Sequence, residues 1–138
     1  MRIGEAAERS GVSCRTLRYY EELGLLALSE HSAGGARRYT DDDLARIHRI
    51  RELQELLGFD LCEIGTILRA EDELSALRHA YEADVAVDRR REILREAMEI
   101  NTRLRALVRA KRDRLDAMLE DLEARARRNR ARERELGS

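Results

Sequence analysis

The stretch "SCRTLRYYEELGLL", residues 13–26, places two adjacent tyrosines between arginines and glutamates. The 138-residue chain has only four Tyr and one Phe, and a core of Leu, Ile and Val does not need tyrosine hydroxyls. Ser13 is a good N-cap, because its hydroxyl can accept a hydrogen bond from an early helical N–H group. Gly24 can end the helix by adopting a left-handed conformation. The stretch therefore predicts a short amphipathic helix with a second, functional face.

A shorter helix precedes this one, and Gly11 falls between the two. Two helices joined by a glycine-containing turn form a helix-turn-helix. On the second helix, Arg15, Arg18 and Tyr19 are three or four positions apart and share one face. Arginine can hold guanine or phosphate with two parallel hydrogen bonds, whereas Tyr20 points about 100° away from Tyr19 and is expected in the core. The apolar face of the pair is made by Ala6, Ala7, Val12, Leu17, Tyr20 and Leu23.

The next segment, "ALSEHSAGGARRYT" at residues 27–40, has no helical periodicity. Gly34 and Gly35 can supply positive φ angles, which predicts a hairpin turn between two short strands. Carboxylates at residues 41–43 suit the N-terminus of a helix. Gly58 is expected to end that helix. "FDLCEIGTILRA" predicts a further short helix with Asp60 as its cap. The apolar row of the helix before Gly58 is Leu44, Ile47, Ile50, Leu53, Leu56 and Leu57.

The C-terminal half predicts two more helices. "EDELSALRHAYEA" at residues 71–83 is a modest helix, and a weak break follows near residues 83–87, with Asp88 as a candidate N-cap. A long helix then continues to about Arg127. About forty helical residues extend roughly 60 Å, so an apolar stripe of that length is expected to pack against the same helix of a second chain. The alternative is that the stripe belongs to an intramolecular core. The stripe consists of Leu94, Ala97, Asn101, Leu104, Val108, Lys111, Leu115, Met118 and Leu122, widened by Ile93, Ile100 and Leu107.

Three motifs in order, "RIGEAAERSGVSCRTLRYYEELGLL", "GGARRYTDDDLARI" and "RELQELLGFDLCEI", resemble the MerR family of bacterial transcription regulators. The resemblance covers about residues 2–70, and one departure is Leu28, where many relatives have proline. It implies a mainly α fold with a winged helix-turn-helix domain at 1–70, whose wing is a small β-hairpin. This domain is followed by a connecting helix and linker at 71–87. A helix at 88–127 comes next and is expected to form an antiparallel coiled-coil dimer. Residues 128–138 are expected to be a disordered charged tail.

The resemblance also implies a function: a homodimeric, sequence-specific regulator that distorts promoter DNA. The helix bearing "TLRYYE" enters the major groove, and the wing lies against the DNA backbone. Its partners are then double-stranded promoter DNA, a second copy of the chain and RNA polymerase at the promoter. The candidate DNA-binding residues are Ser13, Arg15, Thr16, Arg18, Tyr19, Arg37, Arg38 and Tyr39. The candidate dimer interface is Leu94, Ala97, Leu104, Leu107, Val108, Leu115, Met118 and Leu122.

Each assignment has a simpler alternative. Arg18 can pair with Glu21 or Glu22 on the surface, Tyr19 can be a packing residue, and "GGARRY" can be an ordinary hairpin with solvated arginines. For the whole chain, the alternative is a coiled-coil interaction module with a degenerate helix-turn-helix and no sequence-specific DNA binding. The net charge of −1 argues weakly against a simple polycationic nucleic-acid binder, so DNA binding requires arginines to be placed on one face.

Other classes of function find little support. The chain has no phosphate loop, no nucleophile with a paired base and no metal-ligand cluster, so an enzyme is not expected. Cys14 and Cys62 are 48 positions apart, and the three histidines do not cluster, so neither a metal site nor a cofactor is predicted. No apolar run is long enough to cross a bilayer, and the cytoplasm is the expected location.

Overall fold

The computed structural model describes residues 1–27, 38–83 and 86–137, and the described residues are mainly helical, with no strand among them. The chain divides into two compact units, Met1–Glu73 and Leu74–Ser138. The predicted wing cannot be compared with the structure at its turn, because Gly34, Gly35 and Arg37 lie outside the described residues. The elements are α1 (Ile3–Ser10), α2 (Cys14–Glu22), α3 (Asp41–Arg51), a π-helical turn (Glu52–Leu56), α4 (Leu61–Glu82) and α5 (Val87–Gly137).

The helix-turn-helix forms where the sequence predicted it. Gly11 ends α1 with a φ angle of 74°, and its N–H group donates to the carbonyl of Ala7 at 2.9 Å. Ser13 caps α2 by accepting from the N–H group of Thr16 at 3.1 Å. Gly24, with a φ angle of 76°, follows the end of α2. These caps satisfy backbone groups that the helix ends leave unpaired.

The core of the first unit gathers apolar side chains from α1 to α4. Burying a side chain such as Leu or Ile stabilises the fold by roughly 1.5–3 kcal/mol. The wide separation of these residues along the chain means that α2 is held in place by tertiary packing. The core includes Ala6, Leu17, Tyr20, Leu25, Leu26, Tyr39, Ile47, Ile50, Leu53, Phe59, Ile64, Ile67 and Leu68.

A π-helical turn ends the α3 region, and the sequence did not predict it. The N–H group of Leu57 donates to the carbonyl of Glu52 at 3.2 Å, which is the five-residue spacing of a π-turn. The wider turn rotates the side chain of its last residue, Leu56, and that of Leu57, which follows it, away from the apolar row. As a result Leu56 is 79% exposed and Leu57 is 50% exposed, although the sequence placed both in the buried row.

The helix α4 is longer than predicted, because the two separate helices expected between residues 60 and 83 form one helix of 22 residues. The predicted cap at Asp60 is confirmed. Its carboxylate accepts from the N–H group of Glu63 at 2.8 Å, and the Glu63 carboxylate accepts from the N–H group of Asp60 at 3.0 Å. This reciprocal pair is a capping box, which fixes the first residue of the helix.

The long helix α5 begins at Val87, so Asp88 lies in its first turn and does not cap it. The helix has 51 residues and continues to Gly137, whereas the sequence predicted disorder from residue 128 onward. The reason lies in local propensity: Ala, Arg and Glu, which dominate this segment, are among the strongest helix formers. Loss of the apolar stripe therefore ends the predicted seam but does not end the helix.

Candidate nucleic-acid interface

The face of α2 that the sequence singled out is exposed. Leu17 and Tyr20 point into the core, and this fixes the rotation of the helix about its axis. Arg15 and Arg18 are consequently exposed, and Tyr19 is 48% exposed. The exposure of Tyr19 speaks against the alternative that it is a packing residue. The structure therefore brings Arg15, Arg18 and Tyr19 together on one accessible helical face.

The two arginines of this face remain available for a partner. In the described part of the chain, neither Arg15 nor Arg18 forms an ion pair or a side-chain hydrogen bond. The alternative pairing of Arg18 with Glu21 or Glu22 is therefore not formed there. Two exposed guanidinium groups without a carboxylate partner are suited to a phosphate or to the edge of a guanine.

Tyr20, beside Tyr19 in the sequence, is a core residue as predicted. Its hydroxyl donates to the side-chain oxygen of Gln54 at 3.5 Å. Burial raises the pKa of the Tyr20 hydroxyl above its ordinary value of 10.0, although the nearby Arg51 guanidinium opposes this shift. The hydroxyl therefore stays protonated and serves as a donor that ties α2 to the π-helical turn.

Ser13 and Thr16 lie at the N-terminus of α2 and bond to each other. Besides its capping bond, the Ser13 hydroxyl donates to the Thr16 hydroxyl oxygen at 2.9 Å. Ser13 is exposed and Thr16 is partly exposed. Their assignment to DNA binding stays a prediction. In the described structure they form the capped N-terminus of α2.

The predicted wing residues divide into three cases. Arg37 lies outside the described residues, and Arg38 is described and exposed. Tyr39 differs from the prediction, because its side chain is only 2% exposed and its hydroxyl donates to the carboxylate of Glu21. A hydroxyl that is buried and bonded in this way is not placed to contact a phosphate. Tyr39 is therefore a core residue that joins the segment after the predicted wing to α2.

Three further arginines, all on α3, are engaged within the first unit. Arg46 donates to the carbonyl of Leu25 at 2.6 Å and pairs with Asp72 at 2.9 Å. Arg49 makes two parallel hydrogen bonds, of 3.2 and 2.8 Å, to the carboxylate of Glu71. These contacts bind α3 to α4 and to the loop after α2. Sequence reasoning did not identify them, because their partners lie more than twenty residues away.

Arg51 completes this group. Its guanidinium donates to the carbonyl of Ser10 at 2.7 Å and to the carboxylate of Glu55 at 3.1 Å. The arginine thus links α3 to the turn of the helix-turn-helix. Because Arg46, Arg49 and Arg51 are all used internally, the basic groups left for a nucleic acid in the described first unit include those on α2.

The predicted dimer row lies on α5 and is largely exposed in the single chain. Its larger members are between 47% and 62% exposed, a high value for aliphatic side chains along one helix: Leu94, Val108, Leu115, Met118 and Leu122. The other members are partly exposed: Ala97, Leu104 and Leu107. Ile93 and Ile100, which the sequence placed beside this row, are buried by the chain itself. An exposed apolar stripe of this length favours a partner surface.

The described residues contain neither a cluster of metal ligands nor a helix suited to a membrane. Within residues 1–27, 38–83 and 86–137, no group of three or more His, Cys, Asp or Glu side chains is arranged to hold a metal ion. Cys14 and Cys62 are both free thiols. Among the described helices, none combines the length and the apolar character needed to span a bilayer.

Known proteins resemble this chain over its first unit and beyond. The family model described as MerR HTH family regulatory protein matches residues 1–71. The HTH-type transcriptional regulator YfmP of Bacillus subtilis (strain 168) is 33% identical over 99 residues, covering 72% of this chain and 71% of that protein. The nodulation protein NolA of Bradyrhizobium sp. (strain NC92) is 40% identical over 126 residues, covering 86% of this chain but only 50% of that protein.

Solved structures resemble it as well. A crystal structure of a MerR family transcriptional regulator from Bacillus cereus shares 28% sequence identity, with a TM-score of 0.47, and the match covers 89% of this chain and 77% of that one.

Proposed function

The chain belongs to the MerR family of helix-turn-helix regulatory proteins, and on that premise we propose that it is a homodimeric, sequence-specific transcription regulator that distorts promoter DNA. The observation that carries this proposal is the exposed face of α2, where Arg15, Arg18 and Tyr19 lie together while Leu17 and Tyr20 anchor the helix. The family match supports the function, and the local geometry favours this face as the DNA-binding surface.

In this proposal α2 is the recognition helix and enters the major groove. Arg15 and Arg18 contact base edges or neighbouring phosphates, since a guanidinium can form two parallel hydrogen bonds to a guanine. The Tyr19 hydroxyl donates to a phosphate, and Arg38 contacts the backbone from the segment after the predicted wing. Phosphate contacts set the register of the protein on the duplex, whereas base contacts set the sequence that it prefers.

The proposed dimer uses the exposed row of α5. Two such helices running in opposite directions cover each other's apolar side chains, with Leu104, Leu107 and Val108 near the two-fold axis. Leu94 of one chain then approaches Met118 or Leu122 of the partner subunit, whereas Ile93, which its own chain already buries, lies behind this contact. A long coiled coil fixes the separation of the two DNA-binding units, and in helix-turn-helix dimers that separation matches the spacing of the two DNA half-sites.

DNA distortion follows from this rigidity. A dimer whose two recognition helices have a fixed spacing binds best to a duplex that is bent or twisted to match it, and the deformation energy depends on sequence. We propose that this change realigns promoter elements for RNA polymerase. The proposal includes no cofactor and no catalytic step.

The test is selection of duplexes from a random pool by the full chain, followed by fluorescence anisotropy with the selected duplex. The proposal predicts tighter binding to the selected duplex than to a scrambled one, and loss of this preference in Arg15→Ala/Arg18→Ala. Arg78→Ala is the matched control, because Arg78 is exposed on α4 and forms no ion pair within the described residues. A dimer that prefers no sequence would support the alternative, a coiled-coil interaction module with a degenerate helix-turn-helix.

A further inference from the structure

We propose that the hydrogen bond between Tyr39 and Glu21 sets the affinity with which the arginines on α2 and Arg38 bind DNA, although neither Tyr39 nor Glu21 contacts DNA. The bond connects the last turn of α2 to the segment that follows the predicted wing. In this role both residues position the DNA-binding arginines. The inference rests on the proposed function, because its effect is on DNA binding.

The contact joins a buried tyrosine to a partly buried carboxylate. Tyr39 is 2% exposed, and its hydroxyl donates to the carboxylate of Glu21, which is partly buried and lies 18 positions earlier in the chain. Glu21 is one helical turn after Arg18 on α2, so the two side chains lie on neighbouring parts of the same helix. A carboxylate acceptor makes this a charge-assisted hydrogen bond, which is stronger than one between neutral groups.

The backbone of Tyr39 is held at the same time. Its N–H group donates to the carbonyl of Met1 at 2.6 Å, and the N-terminal ammonium group donates to the carbonyl of Tyr39 at 2.7 Å. The next residue, Thr40, caps α3 through the N–H group of Asp43 at 3.1 Å. Hydrogen bonds thus hold the backbone of residues 39–40 to the N-terminus and to α3, and the Tyr39 hydroxyl adds a hydrogen bond to α2.

The consequence concerns Arg38, the residue just before Tyr39. Arg38 is exposed, and its main chain is attached directly to a residue whose backbone and side chain are both fixed. Because a group ordered before binding loses less conformational entropy on binding, this attachment raises affinity without adding a contact to DNA. Loss of the hydroxyl would let the segment move relative to α2, so Arg38 and Arg18 would no longer reach the duplex in a fixed relation.

Tyr39→Phe tests this idea, because it keeps the buried ring and removes only the hydroxyl. We expect it to weaken binding to all duplexes by about threefold to tenfold, the range expected for one lost hydrogen bond. The dependence of affinity on salt concentration should also become shallower, since fewer phosphate contacts form. Tyr81→Phe is the control, because it removes a tyrosine hydroxyl from the part of α4 that belongs to the second unit and should change neither quantity.

A double-mutant cycle separates positioning from direct contact. Tyr39→Phe added to Glu21→Ala should weaken binding no further than Glu21→Ala alone, because the bond is already lost. Glu21→Gln keeps an acceptor oxygen and should retain more affinity than Glu21→Ala. Effects that multiply in the double mutant would overturn the inference, because they would show that the Tyr39 hydroxyl acts independently of Glu21.

Thermal unfolding of the same variants completes the design. A Tyr39→Phe protein with a lower midpoint but an unchanged salt dependence would show a purely structural role and would overturn the inference. If the wild-type chain binds a duplex and Tyr39→Phe binds it with the same affinity and the same salt dependence, this inference alone is overturned. A wild-type chain that binds no duplex would overturn the proposed function and this inference with it.

Discussion

Three tyrosines near the helix-turn-helix have three different roles. Tyr19 is exposed beside Arg15 and Arg18, Tyr20 is buried against the π-helical turn, and Tyr39 joins α2 to the segment after the predicted wing. Helical periodicity predicted the difference between Tyr19 and Tyr20, since one position changes the direction by about 100°. It did not predict the role of Tyr39, because Glu21 is 18 positions away and no local pattern shows that contact.

Arg18→Ala tests the recognition face at the level of one residue. We expect specific affinity to fall by roughly 1–3 kcal/mol, because one bidentate contact to a base is lost. Helix content and dimer mass should stay unchanged, since the Arg18 side chain is exposed and outside the core. Anisotropy on the selected duplex measures the effect beside Arg78→Ala, and an unchanged affinity would remove Arg18 from the contact set.

Arg38→Ala tests the backbone contact. A lost phosphate contact should weaken binding to every sequence by a similar factor and reduce the slope of log affinity against log salt by about 1. Arg37→Ala is expected to behave in the same way. Titrations at several salt concentrations on selected and scrambled duplexes measure both quantities. Weaker binding confined to the selected duplex would contradict the assignment.

At the level of elements, the caps at Ser13 and Asp60 were predictable, whereas the cap predicted at Asp88 does not form and the long-range contacts were not predictable. Ser13 and Asp60 cap their helices through bonds to residues three positions later, so a local motif was sufficient. The π-helical turn was missed because Leu56 and Leu57 continue the apolar spacing of α3 in the sequence, and only the folded chain shows their exposure. The extent of α5 was missed because the sequence argument equated the end of the seam with the end of the helix.

Gly11→Ala tests the turn between α1 and α2. Gly11 has a φ angle of 74°, and a Cβ atom there would meet the Arg51 guanidinium at 3.0 Å. A side chain in the left-handed region costs roughly 1–2 kcal/mol, so the free energy of unfolding should fall by about that amount. Urea denaturation measures the change.

Gly4→Ala is the control for Gly11→Ala. Gly4 lies within α1, and a Cβ atom there would have no neighbour within 4 Å. Because alanine favours helix over glycine by about 0.8–1.0 kcal/mol in a helix interior, this variant should be neutral or more stable. Equal destabilisation by the two substitutions would contradict the assigned turn.

For the whole molecule, placement of charge matters more than its total. The net charge is −1, and three arginines of α3 are engaged inside the first unit. The exposed arginines on α2 nevertheless place two guanidinium groups on one face of the first unit, which two copies would present twice. Because one such face is expected to bind DNA weakly, specific binding is expected only from a dimer, in which the proposed seam on α5 joins two of these faces.

The proposed seam has its own variant and control. Leu104→Arg places a charge in an apolar contact between chains, where an unpaired buried charge costs about 3–5 kcal/mol, so dimer formation and DNA binding should both weaken. Leu136→Arg is the matched control, because Leu136 lies on the same helix but outside the row and is 86% exposed. A dimeric Leu104→Arg protein with full DNA affinity would place the seam elsewhere.

The most direct measurement is sedimentation equilibrium of the full chain at micromolar concentration, alone and with a labelled duplex selected by the protein. The account predicts a free protein of twice the 16.0 kDa chain mass and a complex of two chains per duplex. A monomeric wild-type protein, or a complex with one chain per duplex, would contradict it.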